Sequence, residues 1–102
     1  MVTKISQSQM DEVKAQEYAV IDFSAVWCGP CKMLAPVLEE ISEELGDVAF
    51  YNIDVDENMD LAQQFRITNI PALAFLKKGE LTDMSVGFQP KEELVDWIES
   101  QK

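Results

Sequence analysis

Two cysteines separated by two residues are the part of this chain best suited to chemistry. Cys28 and Cys31 are its only cysteines, and they stand in the segment Trp-Cys-Gly-Pro-Cys-Lys at positions 27–32. A disulfide that closes so short a loop adds little stability, because stabilisation by cross-linking grows with loop length. The pair is therefore better explained by redox or metal chemistry than by structural cross-linking.

The number of potential ligands argues against a metal. A closed zinc site uses four ligands, usually cysteine and histidine, and this chain has two cysteines and no histidine. We therefore expect neither a metal nor another cofactor. The lack of histidine also excludes imidazole acid–base catalysis.

The position of the cysteines assigns each a different role in thiol–disulfide exchange. Cys28 lies where a predicted strand gives way to a helix, and a helix N-terminus lowers the pKa of a thiol, so Cys28 is expected to be the nucleophile. Cys31, one turn further on, is expected to be more buried and to resolve the mixed disulfide. Gly29 permits a tight turn and Pro30 fits a first helical turn. Lys32 either adds positive charge near the thiols or is simply solvated.

Resolution by Cys31 requires a proton acceptor, and Asp22 is the candidate. It is the only charged residue in the apolar run 18–26. If that strand is central, desolvation raises the pKa of Asp22 toward the range useful for proton transfer. The alternative is that Val20, Asp22 and Ser24 form one wet strand face. The sequence pattern alone leaves both interpretations open.

The hydrophobic pattern predicts alternating strands and helices in a single domain, residues 1–102. This alternation favours an α/β fold in which helices cover a sheet, and a terminal hairpin makes that sheet mixed. The predicted strands lie near Val2–Ile5 and at Tyr18–Ala25 and Val48–Val55, followed by the hairpin of Ala72–Lys77 and Leu81–Val86 around Lys78-Gly79. The first two predicted helices are one over about Gln9–Ala15, capped by Ser8, and one after the cysteines, with a kink at Pro36 and its end at Gly46. A short helix opened by Asp56 or Asn58 comes next, and the last helix has Pro90 at its first position.

Composition restricts the partners and the compartment. The net charge of −11 disfavours nucleic acids and anionic membrane surfaces, although an acidic surface often serves only solubility. No apolar run is long enough to span a bilayer. The N-terminal residues lack an apolar signal core, and we therefore expect a reducing cytoplasm.

The motif and its flanks resemble the thioredoxin family over nearly the whole chain. The matching residues are Asp22-Phe23, Ala25, Trp27 to Met33, Ala35-Pro36, Asn52-Ile53-Asp54, Ile70-Pro71, Gly79 and Gly87. The resemblance implies a mixed five-stranded sheet flanked by four helices. It also implies a monomeric protein-disulfide reductase that is itself reduced by a thioredoxin reductase, or by ferredoxin-linked enzymes in some lineages.

The resemblance also implies roles for individual residues. Asp22 falls on the family's buried proton-transfer carboxylate, whereas Trp27, Gly29, Pro30 and Lys32 belong to the motif that tunes the thiols. Pro71 falls on the family's cis-proline, although base rates alone favour a trans bond. The implied docking patch for target proteins comprises Trp27, Gly29, Pro30, Ile70, Pro71, Val86, Gly87 and Phe88.

Two residues depart from the family pattern. Ser24 replaces a tryptophan, which is expected to loosen packing behind the motif, and Phe50 replaces a lysine near the buried carboxylate. Without that cation Asp22 should be harder to ionise, so resolution by Cys31 should slow at lower pH.

The competing functions are a thioredoxin-fold oxidase or isomerase, which Gly29-Pro30 disfavours, and a scaffold subunit that does not need its thiols.

Overall fold

A five-stranded mixed sheet forms the centre of the computed structural model, which describes residues 1–102. Its strands are β1 Val2–Lys4, β2 Tyr18–Ser24, β3 Ala49–Asp54, β4 Ala72–Lys77 and β5 Glu80–Val86. The order across the sheet is β1-β3-β2-β4-β5, with β1, β3 and β2 parallel and β4 and β5 antiparallel to their neighbours. The helices are α1 Met10–Lys14, α2 Gly29–Glu44, α3 Met59–Gln64 and α4 Lys91–Gln101. The predicted fold class is confirmed.

Strand β2 is central because it can be buried on both faces. Residues 19–23 are all buried, and the alternation of side chains divides them between two cores. On one face Ile21 and Phe23 pack in the core that also holds Val13 of α1 and Leu61 of α3. On the other, Val20 packs in the core formed with α2 and α4. Asp22 shares the face of Val20 and therefore points toward the layer that contains α2.

Four residues separate the end of β2 from the start of α2, and the apolar stripe of this helix orients it on the sheet. Leu34, Leu38 and Ile41 recur at helical spacing and are fully or almost fully buried. Pro36 lies inside the helix, and α2 ends at Glu44, close to the end predicted at Gly46. This packing holds the N-terminus of α2, and with it the cysteine pair, beside the carboxyl ends of β2 and β3.

Two predicted helix starts are wrong in detail. Ser8 does not cap the first helix. It lies within a 3₁₀ turn, Gln7–Gln9, which precedes α1 and begins where the Ser6 amide donates to Gln9 Oε1 at 2.9 Å. The chain therefore begins to turn at Ser6, two residues before the expected cap. Pro90 is the N-cap of α4 rather than its first helical residue, whereas Asn58 does precede α3 as predicted.

None of the helices combines the length and the apolar character that crossing a membrane would require.

The β4–β5 turn gives a direct test of how tightly the sheet packs on α1. Lys78 and Gly79 both have positive φ angles, 52° and 83°, as a type I′ hairpin turn requires. A Cβ on Gly79 would lie 3.0 Å from the Lys14 carbonyl oxygen. We expect Gly79→Ala to reduce the free energy of unfolding by about 1–3 kcal/mol, measured by denaturant unfolding.

Gly46→Ala is the matched control for this prediction. Gly46 has no positive φ, and a Cβ there would meet no atom within 4 Å. The control should therefore stay close to the original stability. Equal effects of the two substitutions would contradict the prediction.

Candidate active site

Cys28 and Cys31 form a disulfide across the first turn of α2. Cys28 is the N-cap, and its Sγ accepts a hydrogen bond from the Cys31 amide at 3.2 Å. Their Cα atoms are 5.3 Å apart. Unpaired amides and the helix dipole favour negative charge at this position, so the Cys28 sulfur occupies the place where α2 best stabilises a thiolate.

The two cysteines are equally buried, which corrects the expectation that Cys31 would be the more buried. Each is 4% exposed. They pack with Ala25 against Val55 and Ile70. Because the disulfide holds both sulfurs side by side in this apolar setting, burial alone does not distinguish them in the oxidised protein. The distinction lies in their positions on the helix.

Asp22 is a buried carboxyl group with incomplete hydrogen bonding. It is 3% exposed, its Oδ2 accepts from Asn52 Nδ2 at 3.2 Å, and its Oδ1 has no partner. Desolvation by burial raises the pKa of Asp22 to about 6, partly offset by the Asn52 hydrogen bond. The alternative of a wet strand face is wrong, since Val20 is fully buried and Ser24 half-buried.

A cleft of about 210 Å³ brings Asp22 and Cys31 to the same side of α2. Its walls are Asp22, Ser24, Ala25, Cys31, Lys32, Ala35 and Asn52. Cys28 does not line it, so the carboxyl group shares this cleft with the second cysteine. Lys32 contributes an exposed side chain to the lining.

The two departures from the family pattern have different consequences. Phe50 is buried in the core between the sheet and α2, on the same sheet face as Asp22, and supplies no charge there. Ser24 accepts a hydrogen bond from Asn52 Nδ2 at 2.8 Å, so it is tied to the neighbouring strand by a polar contact. The link from Asn52 to both residues was missed from sequence, where Asn52 was only part of a matching segment. A polar residue in the middle of strand β3, between Tyr51 and Ile53, was the available signal.

The loop that contains Ile70 and Pro71 lies next to Cys28 and is joined to the loop that contains Gly87. The Ile70–Pro71 bond is cis, as the resemblance implied, and the Ile70 carbonyl oxygen is 3.8 Å from Cys28 Sγ. The Gly87 amide donates to the Pro71 carbonyl at 2.7 Å, which joins the two loops. Pro71 itself is buried, whereas Gly29, Pro30, Val86 and Phe88 are exposed and Ile70 and Gly87 half-buried.

Trp27 combines high exposure with a fixed polar contact. Its side chain is 68% exposed, and its indole N–H donates to Asp56 Oδ2 at 2.8 Å. Asp56 follows β3, and its own amide donates to Asp54 Oδ1 at 2.8 Å. From sequence, Asp56 was only a candidate helix start; its contact with Trp27 depends on the tertiary fold.

Comparison with known proteins decides the family. The family model described as Thioredoxin matches residues 1–100. The thioredoxin of Bacillus subtilis strain 168 is 43% identical over 98 residues, covering 95% of this chain and 94% of that protein. The chain belongs to the thioredoxin family. A thioredoxin of Staphylococcus saprophyticus is 44% identical over 99 residues, covering 96% of this chain and 95% of its own.

Solved thioredoxin structures agree with this fold. A structure of Plasmodium falciparum thioredoxin superposes with a TM-score of 0.91 at 33% identity, covering 99% of this chain and 100% of that one. A mutant thioredoxin from Halobacterium salinarum NRC-1 gives a TM-score of 0.89 at 38% identity, covering 97% of this chain and 90% of that one. With its redox-active disulfide, this thioredoxin-family protein is a thiol–disulfide oxidoreductase that reduces protein disulfides.

Burial of Asp22 makes stability depend on pH. Between an ordinary carboxyl pKa of 3.8 and its own pKa of about 6, Asp22 is protonated in the folded state and ionised in the unfolded state. The unfolded state therefore binds fewer protons, and stability falls as pH rises through this window. We expect Asp22→Asn to raise the free energy of unfolding by roughly 2–3 kcal/mol at about pH 7.5 and far less at about pH 4.

Denaturant unfolding of the oxidised protein at both pH values measures this effect. Asp11→Asn, at an exposed position of α1, controls for removal of one carboxylate from an acidic protein. A gain for Asp22→Asn that is the same at both pH values would show that desolvation of the charge is not its cause.

Proposed function

We propose that Cys28 is the attacking thiol and Cys31 the resolving thiol of this reductase. Cys28 thiolate attacks one sulfur of a target disulfide, forms a mixed disulfide and releases the other sulfur as a thiolate. Cys31 then attacks Cys28 Sγ and releases the second target thiol. The target gains two electrons and the Cys28–Cys31 pair becomes the disulfide. The observation that carries this assignment is the Cys31 amide directed at Cys28 Sγ at the start of α2.

Asp22 is proposed to accept the proton that Cys31 loses before its attack. The shared cleft supports this role, because it gives Asp22 and Cys31 a common volume. The unpaired Oδ1 offers a free acceptor position. A pKa of about 6, raised by burial, is also near the value at which a base is effective at neutral pH.

The exposed surface beside Cys28 is proposed to dock target segments. Trp27, Gly29, Pro30, Val86 and Phe88 present mainly apolar, accessible surface there. Ile70 is half-buried next to Cys28, and the half-buried Gly87 is hydrogen-bonded to the buried Pro71. Lys32 is proposed to add positive charge near the motif, since none of the ion pairs of the protein involves it.

The partners are proposed to be a thioredoxin reductase, which returns electrons to the disulfide, and disulfide-containing target proteins. We propose that residues 1–102 act as a single-domain monomer in the cytoplasm, with neither a nucleic-acid nor a membrane partner. The net charge of −11 supports the last point. A reducing compartment suits a protein that donates electrons from a dithiol.

Trapping the mixed disulfide tests the order of attack. Cys31→Ser leaves the attacking thiol but removes the resolving one, so it should accumulate a covalent 1:1 adduct with a disulfide-containing model protein. Cys28→Ser should form at least tenfold less adduct, because its remaining thiol lies within the first helical turn rather than at the N-cap, where the Cys31 amide is directed. Non-reducing electrophoresis and mass spectrometry measure the adducts, and the reverse ranking would contradict the assignment.

The pH dependence of resolution tests Asp22. In single turnover, the rate of mixed-disulfide resolution should rise as Asp22 ionises around its pKa of about 6. Asp22→Asn should remove this inflection and slow the step by about 10²-fold at neutral pH. Asp11→Asn should keep the original profile. An unchanged pH–rate profile in Asp22→Asn would exclude Asp22 as the proton acceptor.

A further inference from the structure

The side-chain amide of Asn52 contacts both Asp22 and Ser24. We infer that Asn52 is the positioning residue for the Asp22 carboxyl group, and that Ser24 competes with Asp22 for the hydrogens of this amide. The inference rests on the proposed role of Asp22 and adds two residues to the machinery of the same step. Its basis is a count of donors and acceptors within a half-buried site.

Asn52 Nδ2 has more acceptors within reach than it has hydrogens. An amide nitrogen carries two hydrogens. Three oxygens lie within hydrogen-bond distance: Ser24 Oγ at 2.8 Å, Asp22 Oδ2 at 3.2 Å and the Asp22 carbonyl at 3.2 Å. The hydroxyl of Ser24 holds the shortest of the three bonds. The Asp22 carboxyl group therefore receives only part of one hydrogen, and its Oδ1 receives none.

The residues next to Asp22 in the sheet offer it no alternative partner. Its register partners are Asn52 on β3 and Leu73 on β4. Phe50, two residues before Asn52 on the same face, is apolar. Asp54, two residues after it, accepts hydrogen bonds from the amides of the following turn through Oδ1. Within the sheet, the Asn52 amide is thus the group that stabilises the carboxylate.

The lysines on neighbouring elements do not form an ion pair with Asp22. Lys32 of α2 lines the cleft with an exposed side chain. Lys4 of β1 is the register partner of Asn52 on its far side, is exposed, and pairs with Glu57 at 3.4 Å. No salt bridge to Asp22 forms from either lysine. Burial sets the raised pKa of Asp22, and the side-chain hydrogen bond that offsets this effect comes from Asn52. How Asn52 divides its hydrogens therefore adjusts the ionisation of Asp22.

The sharing of the Asn52 hydrogens predicts that removing the Ser24 hydroxyl and removing the Asn52 amide shift the pKa of Asp22 in opposite directions. Without the Ser24 hydroxyl, Asn52 can give a full hydrogen to the carboxylate, which favours its ionised form. Without the Asn52 amide, the carboxylate loses its only side-chain donor, which favours its neutral form. A general loss of packing or polarity would instead shift the pKa of Asp22 in the same direction in both variants.

Carboxyl titration by NMR on oxidised protein with ¹³C-labelled aspartate measures this directly. Ser24→Ala should lower the pKa of Asp22 by about half a unit, and Asn52→Ala should raise it by about one unit. In the Asn52→Ala background, Ser24→Ala should no longer lower it, because the amide that links them is gone. Ser24→Thr keeps the hydroxyl and should stay near the original value.

An unchanged or raised pKa of Asp22 in Ser24→Ala would overturn the inference. The inference would also be overturned if Ser24→Ala still lowered the pKa of Asp22 in the Asn52→Ala background. If Asn52→Ala does not fold, the comparison of Ser24→Ala with Ser24→Thr still decides the sign. The titration does not depend on Asp22 transferring a proton, so its failure is separate from a failure of the pH–rate test of Asp22 itself.

Discussion

The desolvated carboxyl group of Asp22 is the constraint on which the arrangement of this protein depends. Burying a carboxylate without a cation is unfavourable, and here one of its oxygens lacks any partner. The surrounding fold must therefore be stable enough to hold it. Two apolar cores, one on each face of the sheet, provide that stability. The result is a carboxyl group whose pKa of about 6 is set by its buried surroundings rather than by an ion pair.

The order of the strands brings this carboxyl group close to the disulfide. Strand β2 lies between β3 and β4, so Asp22 is buried from both sides, while the end of the same strand leads through a short loop into α2. The two chemical groups thus lie on consecutive elements. In the proposed mechanism, attack by Cys28 depends on the helix N-terminus and resolution by Cys31 depends on a carboxyl group of the sheet, so that the two steps can be adjusted separately.

Much of the fold and the covalent site followed from local pattern. The near-continuous apolar run of β2, the helical spacing of Leu34, Leu38 and Ile41, and the cysteine spacing each specify their own structure. The branched contacts of Asn52 did not follow, because they depend on β3 pairing with β2 so that position 52 faces position 22. The prediction that Cys31 is more buried than Cys28 was wrong for a related reason. The disulfide places both sulfurs in one apolar setting, and the spacing of the cysteines alone does not predict this.

The hydrogen bond between Trp27 and Asp56 has a consequence for association with other proteins. An indole that is 68% exposed would normally sample several rotamers, and a partner would have to immobilise it on binding. Here the side chain is held from the loop after β3, 29 residues away along the chain. Its conformational entropy is already lost in the folded protein. In the proposed docking surface, the ring would therefore need little further ordering when a target segment binds.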